Sequence, residues 1–204
     1  MSNQDSLPEA VQAATSSFPQ VVKLDDGAEV ELKVAEKGNA SAIIAFAERL
    51  DEQDLLFLRV DITEPAVVEN WLENVALGET VSILAWQDDE VVGYGTVDRN
   101  SARWTRRVGE IRVNVGPRLR GQGLGRHLTG KIFDIARRMG LKKLTANMTT
   151  DQVGAQAAFT RLGFRPEALL ADYIEHREGG THDLTIMSYD IDGLSGQMDS
   201  PLQI

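Results

Sequence analysis

The chain contains no cysteine. That absence excludes disulfides, thiolate zinc sites, a cysteine nucleophile and any thioester relay through the protein's own sulfur. No apolar run reaches the length of a transmembrane helix. The first residues, Met1-Ser2-Asn3-Gln4-Asp5, lack the apolar stretch of a signal peptide. A soluble, cytoplasmic protein without a membrane partner is the expectation. Histidine is scarce, at three residues. His127 falls in a helical first turn, where a solvated surface residue is expected. His176 and His182 flank a turn near Glu178 and Asp183, but ligand number and spacing are poor for a metal, so none is expected. Of the few aromatics, Trp71 and Trp86 are core candidates, and Trp104 is a candidate for core or substrate pocket.

Positive charge is also in deficit. The net charge is −10, which argues against general nucleic-acid binding. The cations that exist are concentrated. Residues 118–143 hold eight Lys or Arg against the single acid Asp134. A basic segment in an acidic protein suits a polyanionic ligand, or is the solvated face of a helix. The acidic remainder suits a cationic amine substrate. At 204 residues the chain is one domain, or one domain with an extension, and can bury a core without staples. The expected division is a polar N-terminal arm over 1–19, one domain over 20–191, and a loose C-terminal tail over 192–204.

The stretch Arg120-Gly121-Gln122-Gly123-Leu124-Gly125-Arg126 organises the rest. A strand pattern over 110–115 leads in and a helical pattern over 125–139 leads out. Strand, glycine loop and helix make a phosphate cradle, because the first N–H groups of a helix have no partner within it and the helix dipole is positive at that end. The spacing is not that of a P-loop NTPase, since Lys131 is followed by Ile132 rather than Ser or Thr. It is also not the dinucleotide fingerprint, since the glycines run G-x-G-x-G.

The pattern Arg120-x-x-Gly123-x-Gly125, after Val115-x-Pro117, resembles the acyl-CoA pyrophosphate loop of the GNAT superfamily of N-acyltransferases. Ala155-x-x-x-Phe159-x-x-x-Gly163-Phe164 resembles that family's second signature, a helix ending in Gly-Phe. The resemblance covers about residues 28–190. It implies an α+β chain with a mixed central sheet of about seven strands, flanking helices and a splayed parallel pair in the middle. It implies acetyl-CoA, or another acyl-CoA, as co-substrate. Arg120, Gly121, Gln122, Gly123, Leu124, Gly125 and Arg126 would hold the phosphates. The backbone at Val113 and Val115 would pair with the pantetheine amides, with an N–H near Val115 as oxyanion donor. Where the family often carries a tyrosine acid and, seven residues earlier, an asparagine, this chain has Phe159 and Gln152. Phe159 would pack on the pantetheine or on the core, and water or Tyr173 would take the acid's place.

Read in order, residues 8–16 suggest a short helix in the arm. Residues 20–24 and 29–35 make a hairpin around Asp25-Asp26-Gly27. Residues 39–50 and 63–78 read as helices, the second with Pro65 in its first turn and Gly78 at its end. Between them Leu55-Leu56-Phe57-Leu58 should pack inward. Strands follow at 81–86 and 91–97, then an arginine-rich loop over 98–108, then 110–115. After the loop and its helix, 142–148 reads as a strand parallel to 110–115. A helix with Val153, Ala157, Ala158 and Leu162 inward and a hairpin of 165–176 with 183–191 complete the domain.

Alternation puts Glu110, Arg112 and Asn114 on one face of their strand, opposite Ile111, Val113 and Val115. Glu110 is the candidate base for an attacking amine, or is a structural carboxylate paired with Arg112 or with Arg103, Arg106 or Arg107. The expected activity is direct transfer of an acyl group to a primary amine, on a small molecule or a protein. The alternative is an acyl-CoA-binding module without turnover. A small-nucleotide-binding protein is opposed by the loop spacing. Exposed strands near the C-terminus suit a homodimer.

Overall fold

The computed structural model describes residues 8–51, 54–55, 58, 60–99, 102–175 and 179–191. Eight strands form one sheet: β1 (Gln20–Lys23), β2 (Glu29–Val34), β3 (Thr80–Gln87), β4 (Glu90–Arg99), β5 (Val108–Val115), β6 (Lys143–Thr149), β7 (Arg165–Glu175) and β8 (Thr181–Asp190). Their spatial order is β1-β2-β3-β4-β5-β6-β8-β7. All neighbours are antiparallel except β5 and β6. Five α-helices are described: α1 (Glu9–Thr15), α2 (Ala40–Ala47), α3 (Pro65–Leu77), α4 (Leu124–Arg138) and α5 (Val153–Arg161). The α+β class and the central parallel pair are as expected from the sequence.

Each face of the sheet has its own core. On one, α4 buries Leu124, Leu128, Ile132, Ile135 and Ala136, which helical spacing lines up on a single stripe. They pack on Val81, Ile83, Val97, Ile111 and Leu144. Gly95 makes this possible: a Cβ there would come within 2.9 Å of Ile132. On the other face, α2 and α3 enclose Ile43, Phe46, Val68, Leu72, Leu84 and Tyr94. The Tyr94 ring lies between Phe46 and Trp71, with centroids 6.0 and 5.0 Å away. Pro65 opens α3 and Gly78 closes it in the left-handed conformation, as Gly commonly does.

In the second half of the N-terminal arm, α1 buries Val11 and Ala14 in the α4 core. One expectation needs correction. The helix before Gly163 is rotated from the expected face. Ala155, Phe159 and Leu162 meet the core, while Val153 is 70% exposed and Ala157 is also exposed. The edge-on contact of Phe159 with Phe164, 5.0 Å between centroids, fixes that rotation. Leu55 and Leu58 pack on the α2–α3 core as expected; Leu56 and Phe57 lie outside the described residues.

Candidate active site

Two strands that begin as neighbours part company at the centre of the sheet. β5 and β6 pair only at Val108 with Lys143, Gly109 with Leu144 and Glu110 with Thr145. Beyond that rung β5 stays on β4 as far as the Gly93–Val115 pair, and β6 stays on β8 as far as the Thr149–Leu184 pair. Ile111 to Val115 therefore face a fork across from Ala146 to Thr149. Val113 and Val115 line one arm, their side chains packed on the α4 core. The other arm is tied to α5, since Gln152 accepts from the Thr149 N–H at 3.1 Å and Gln156 donates to the Thr149 carbonyl at 3.0 Å.

The glycine loop stands at the end of the β5 arm. A short 3-10 turn, Pro117–Leu119, leads to Arg120, and Gly123 is the residue before α4. Gly121 and Gly123 have φ of +75° and +88°, a region side chains seldom adopt. No side chain caps α4. Among the described residues no carbonyl accepts from the N–H groups of Leu124, Gly125 and Arg126. These are the free donors that a helix N-terminus offers to an anion. Leu124 is fully buried, so the accessible donors are those of Gly125 and Arg126.

The two arginines of the loop are already engaged. Arg120 donates through Nε to the Val115 carbonyl at 3.1 Å, and its Nη2 lies 2.5 Å from Asp54. Arg126 pairs with Asp25 at 3.0 Å. Asp25 belongs to the β1–β2 turn, and its N–H also donates to the Gln122 carbonyl at 3.0 Å. Its carboxylate stands beside Gly123, where a Cβ would lie 2.9 Å from Oδ2. Asp25 and Asp54 were not among the sequence candidates, and no local pattern marks them.

Glu110 sits at the root of the fork. It shares a face with Arg112 and Asn114, opposite Asp98, Thr96 and Tyr94 of β4 in register. Arg112 lies 3.2 Å from Glu110 and 2.5 Å from Asp98. Glu110 is thus paired with Arg112, one of the partners expected for a structural carboxylate, and still lies at the fork. Burial pushes the Tyr94 phenol up to about 12, against the lowering influence of Arg112 and of a hydrogen bond with Asn114. Such a phenol is a poor proton donor to a thiolate.

Other candidates are not brought to the fork. Tyr173 lies on the outermost strand, with β8 between it and β6. Trp104 is 93% exposed on the arginine-rich loop and belongs to neither core. His127 is partly exposed at the surface, with its Nε2 3.2 Å from the Lys23 carbonyl. His182 pairs with Asp151 at 2.6 Å; His176 and Glu178 lie outside the described residues. Among the described residues no group of three metal-ligating side chains is assembled.

Solved structures share this fold. The GNAT domain of S. lividans PAT superposes with a TM-score of 0.72 at 15% identity, over 91% of this chain and 99% of that one. The yncA protein from Salmonella typhimurium, solved with its cofactor acetyl-CoA, gives 0.71 at 23% identity, over 87% and 100%. The ribosomal-protein-alanine N-acetyltransferase from Brucella melitensis gives 0.68 at 21%, over 78% and 98%. None of the curated proteins compared with the chain matches it in sequence. A family model, that of the acetyltransferase (GNAT) family, matches residues 46–164, more than half of the chain. With the fork, the glycine cradle and that match together, this chain belongs to the GNAT family of acetyltransferases and is an acyl-CoA-dependent N-acyltransferase.

Proposed function

We propose that the protein transfers an acetyl group from acetyl-CoA directly to a primary amine, with Glu110 as the base. The observation that carries this reading is the end of β5–β6 pairing at Glu110 and Thr145. A cleft opens there between two strands, with free helical amides at its outer end. In this reading the N–H groups over 121–126 hold the pyrophosphate, and Arg126 exchanges Asp25 for a phosphate oxygen. Arg120 acts through the loop, since its guanidinium is turned back on Val115 and Asp54. Backbone groups at Val113 and Val115 pair with the pantetheine, and Phe159 supports it from the β6 side.

The proton balance explains why a base matters most. A lysine-like amine has a pKa of ~10.4, so presenting it neutral at pH 7 costs roughly 4–5 kcal/mol. A thiol of pKa ~8.5 leaves as thiolate for only about 2 kcal/mol. Glu110, directly or through one water, takes the amine proton as nitrogen bonds to the thioester carbon. The carbon–sulfur bond then breaks, the electron pair stays on sulfur, and solvent protonates the thiolate. Phe159 in place of a tyrosine is tolerable on these figures.

The acceptor is an amine that is cationic in solution, on a small molecule or a protein. Asp98 and Glu110, which share Arg112, suit its approach. A thiol-release assay with acetyl-CoA and a panel of amines tests the reading. Release that depends on the amine supports it. Binding of CoA without release on any amine overturns it in favour of a non-catalytic acyl-CoA-binding module, which Phe159 at the acid position would fit.

A further inference from the structure

One row of side chains crosses the sheet in register, on the face that carries Leu84 and Tyr94: Thr80, Asp98, Glu110, Thr145, Ser188 and Arg165. Asp98 is gripped from two sides within it. Thr80 donates to its Oδ1 at 2.6 Å, and Arg112 Nη2 lies 2.5 Å from its Oδ2. The same guanidinium reaches Glu110 Oε1 at only 3.2 Å from Nη2 and 3.3 Å from Nε. Asp98 is therefore the nearer partner of Arg112.

We propose that Asp98 is a positioning residue for acyl transfer, holding the Arg112 guanidinium away from Glu110 so that Glu110 can accept the proton of the incoming amine. The inference rests on Glu110 being the base. A carboxylate fully paired with an arginine takes up a proton reluctantly, and a neighbouring carboxylate has the opposite effect. A general base works best when its proton affinity suits the working pH. Asp98 acts in both ways at once, as a competitor for the cation and as a second negative charge.

Lys143, two positions before Thr145 on β6, bonds to Glu167 of β7 and lies 4.0 Å from Asp190 of β8. Tyr94, further along β4, is a buried neutral phenol. Arg112 and Asp98 are the charges that β5 and β4 place beside Glu110.

The test is the pH profile of kcat/KM for the wild type, Asp98→Asn, Arg112→Gln and Glu110→Gln, with one amine throughout so that its own ionisation cancels. Asp98→Asn keeps an oxygen for the Thr80 hydroxyl. It should move the acid limb to lower pH by about half to one unit and lower kcat about 3- to 10-fold, with the KM for acetyl-CoA unchanged. Arg112→Gln should move the limb the other way. An Asp98→Asn limb that stays at the wild-type position overturns the proposal, whatever its rate. If that variant does not fold, Arg112→Gln decides alone, and an unmoved limb overturns the proposal. Glu110→Gln separates the two ideas. Loss of the limb there, with Asp98→Asn and Arg112→Gln unmoved, rejects the positioning role alone. A limb that persists in Glu110→Gln rejects the base itself.

Discussion

Glu110 faces Thr145 across the last rung that joins β5 to β6. One residue further on, the two strands pair only with their outer neighbours. A carboxylate at the root of a fork is placed to meet whatever enters it. Replacing it with glutamine keeps the shape and removes the proposed base. We expect kcat to fall by about 10²-fold where Glu110 is ionised in the wild type, with the difference narrowing down the acid limb, and little change in acetyl-CoA affinity. Steady-state rates between pH 6 and 9 check this; equal activity across that range removes Glu110 from the role.

The loop glycines can be separated from a helix glycine on the same element. Gly123 has φ +88° and lies against Asp25. Gly123→Val should weaken CoA binding more than about 10-fold, because a side chain there strains the turn and fills the cradle. Gly130 sits within α4 with open space around its Cα. Gly130→Ala should leave binding alone and stabilise the fold by about 0.5–1 kcal/mol. Calorimetric titration with CoA and thermal melts read both; equal binding by Gly123→Val and wild type contradicts the loop assignment.

Asp25 puts a negative charge where a phosphate is expected. Asp25→Asn should tighten CoA binding about 2- to 10-fold, and the gain should shrink with added salt. Weaker binding in that variant would mean instead that Asp25 serves to hold Arg126 ready for the ligand.

These residues mark the limit of what the sequence made legible. Local patterns were readable: the stripe of α4, the Asp25-Asp26-Gly27 turn, the stop at Gly78, and the alternation that puts Glu110 with Arg112. Each is written in a few consecutive residues. The Arg126–Asp25 pair joins positions 101 apart in the chain, and Arg120–Asp54 is also long-range. Nothing in either segment names its partner. The rotation of α5 escaped for another reason. Ala155, Ala157 and Ala158 give its short sequence no contrast between faces, and Phe159 meeting Phe164 decided it.

Stability should depend on pH at both extremes. Tyr94 keeps its proton to about 12 in the fold, against ~10 in an unfolded chain. Its contribution is complete below pH 10 and is lost as pH rises from about 10 to 12. At the acid end, burial works to raise the Glu167 carboxyl, but hydrogen bonds from Lys143 and Ser188 and the Lys143 charge together hold it below its ordinary value. That contribution is present above about pH 4.3 and is lost as pH falls through the depressed folded value. Denaturation midpoints across pH should lose the alkaline slope in Tyr94→Phe and part of the acid slope in Glu167→Gln. Unchanged slopes would remove these groups as the cause.

The most direct measurement is a backbone amide NMR titration with CoA. Gripping of the pyrophosphate by the loop, with the thioester arm between the diverging strands, predicts large shifts at Gly121 to Arg126, at Val113 and Val115, and at Asp25 as Arg126 leaves it. CoA that binds while those amides stay still, or that moves a different surface, contradicts the account.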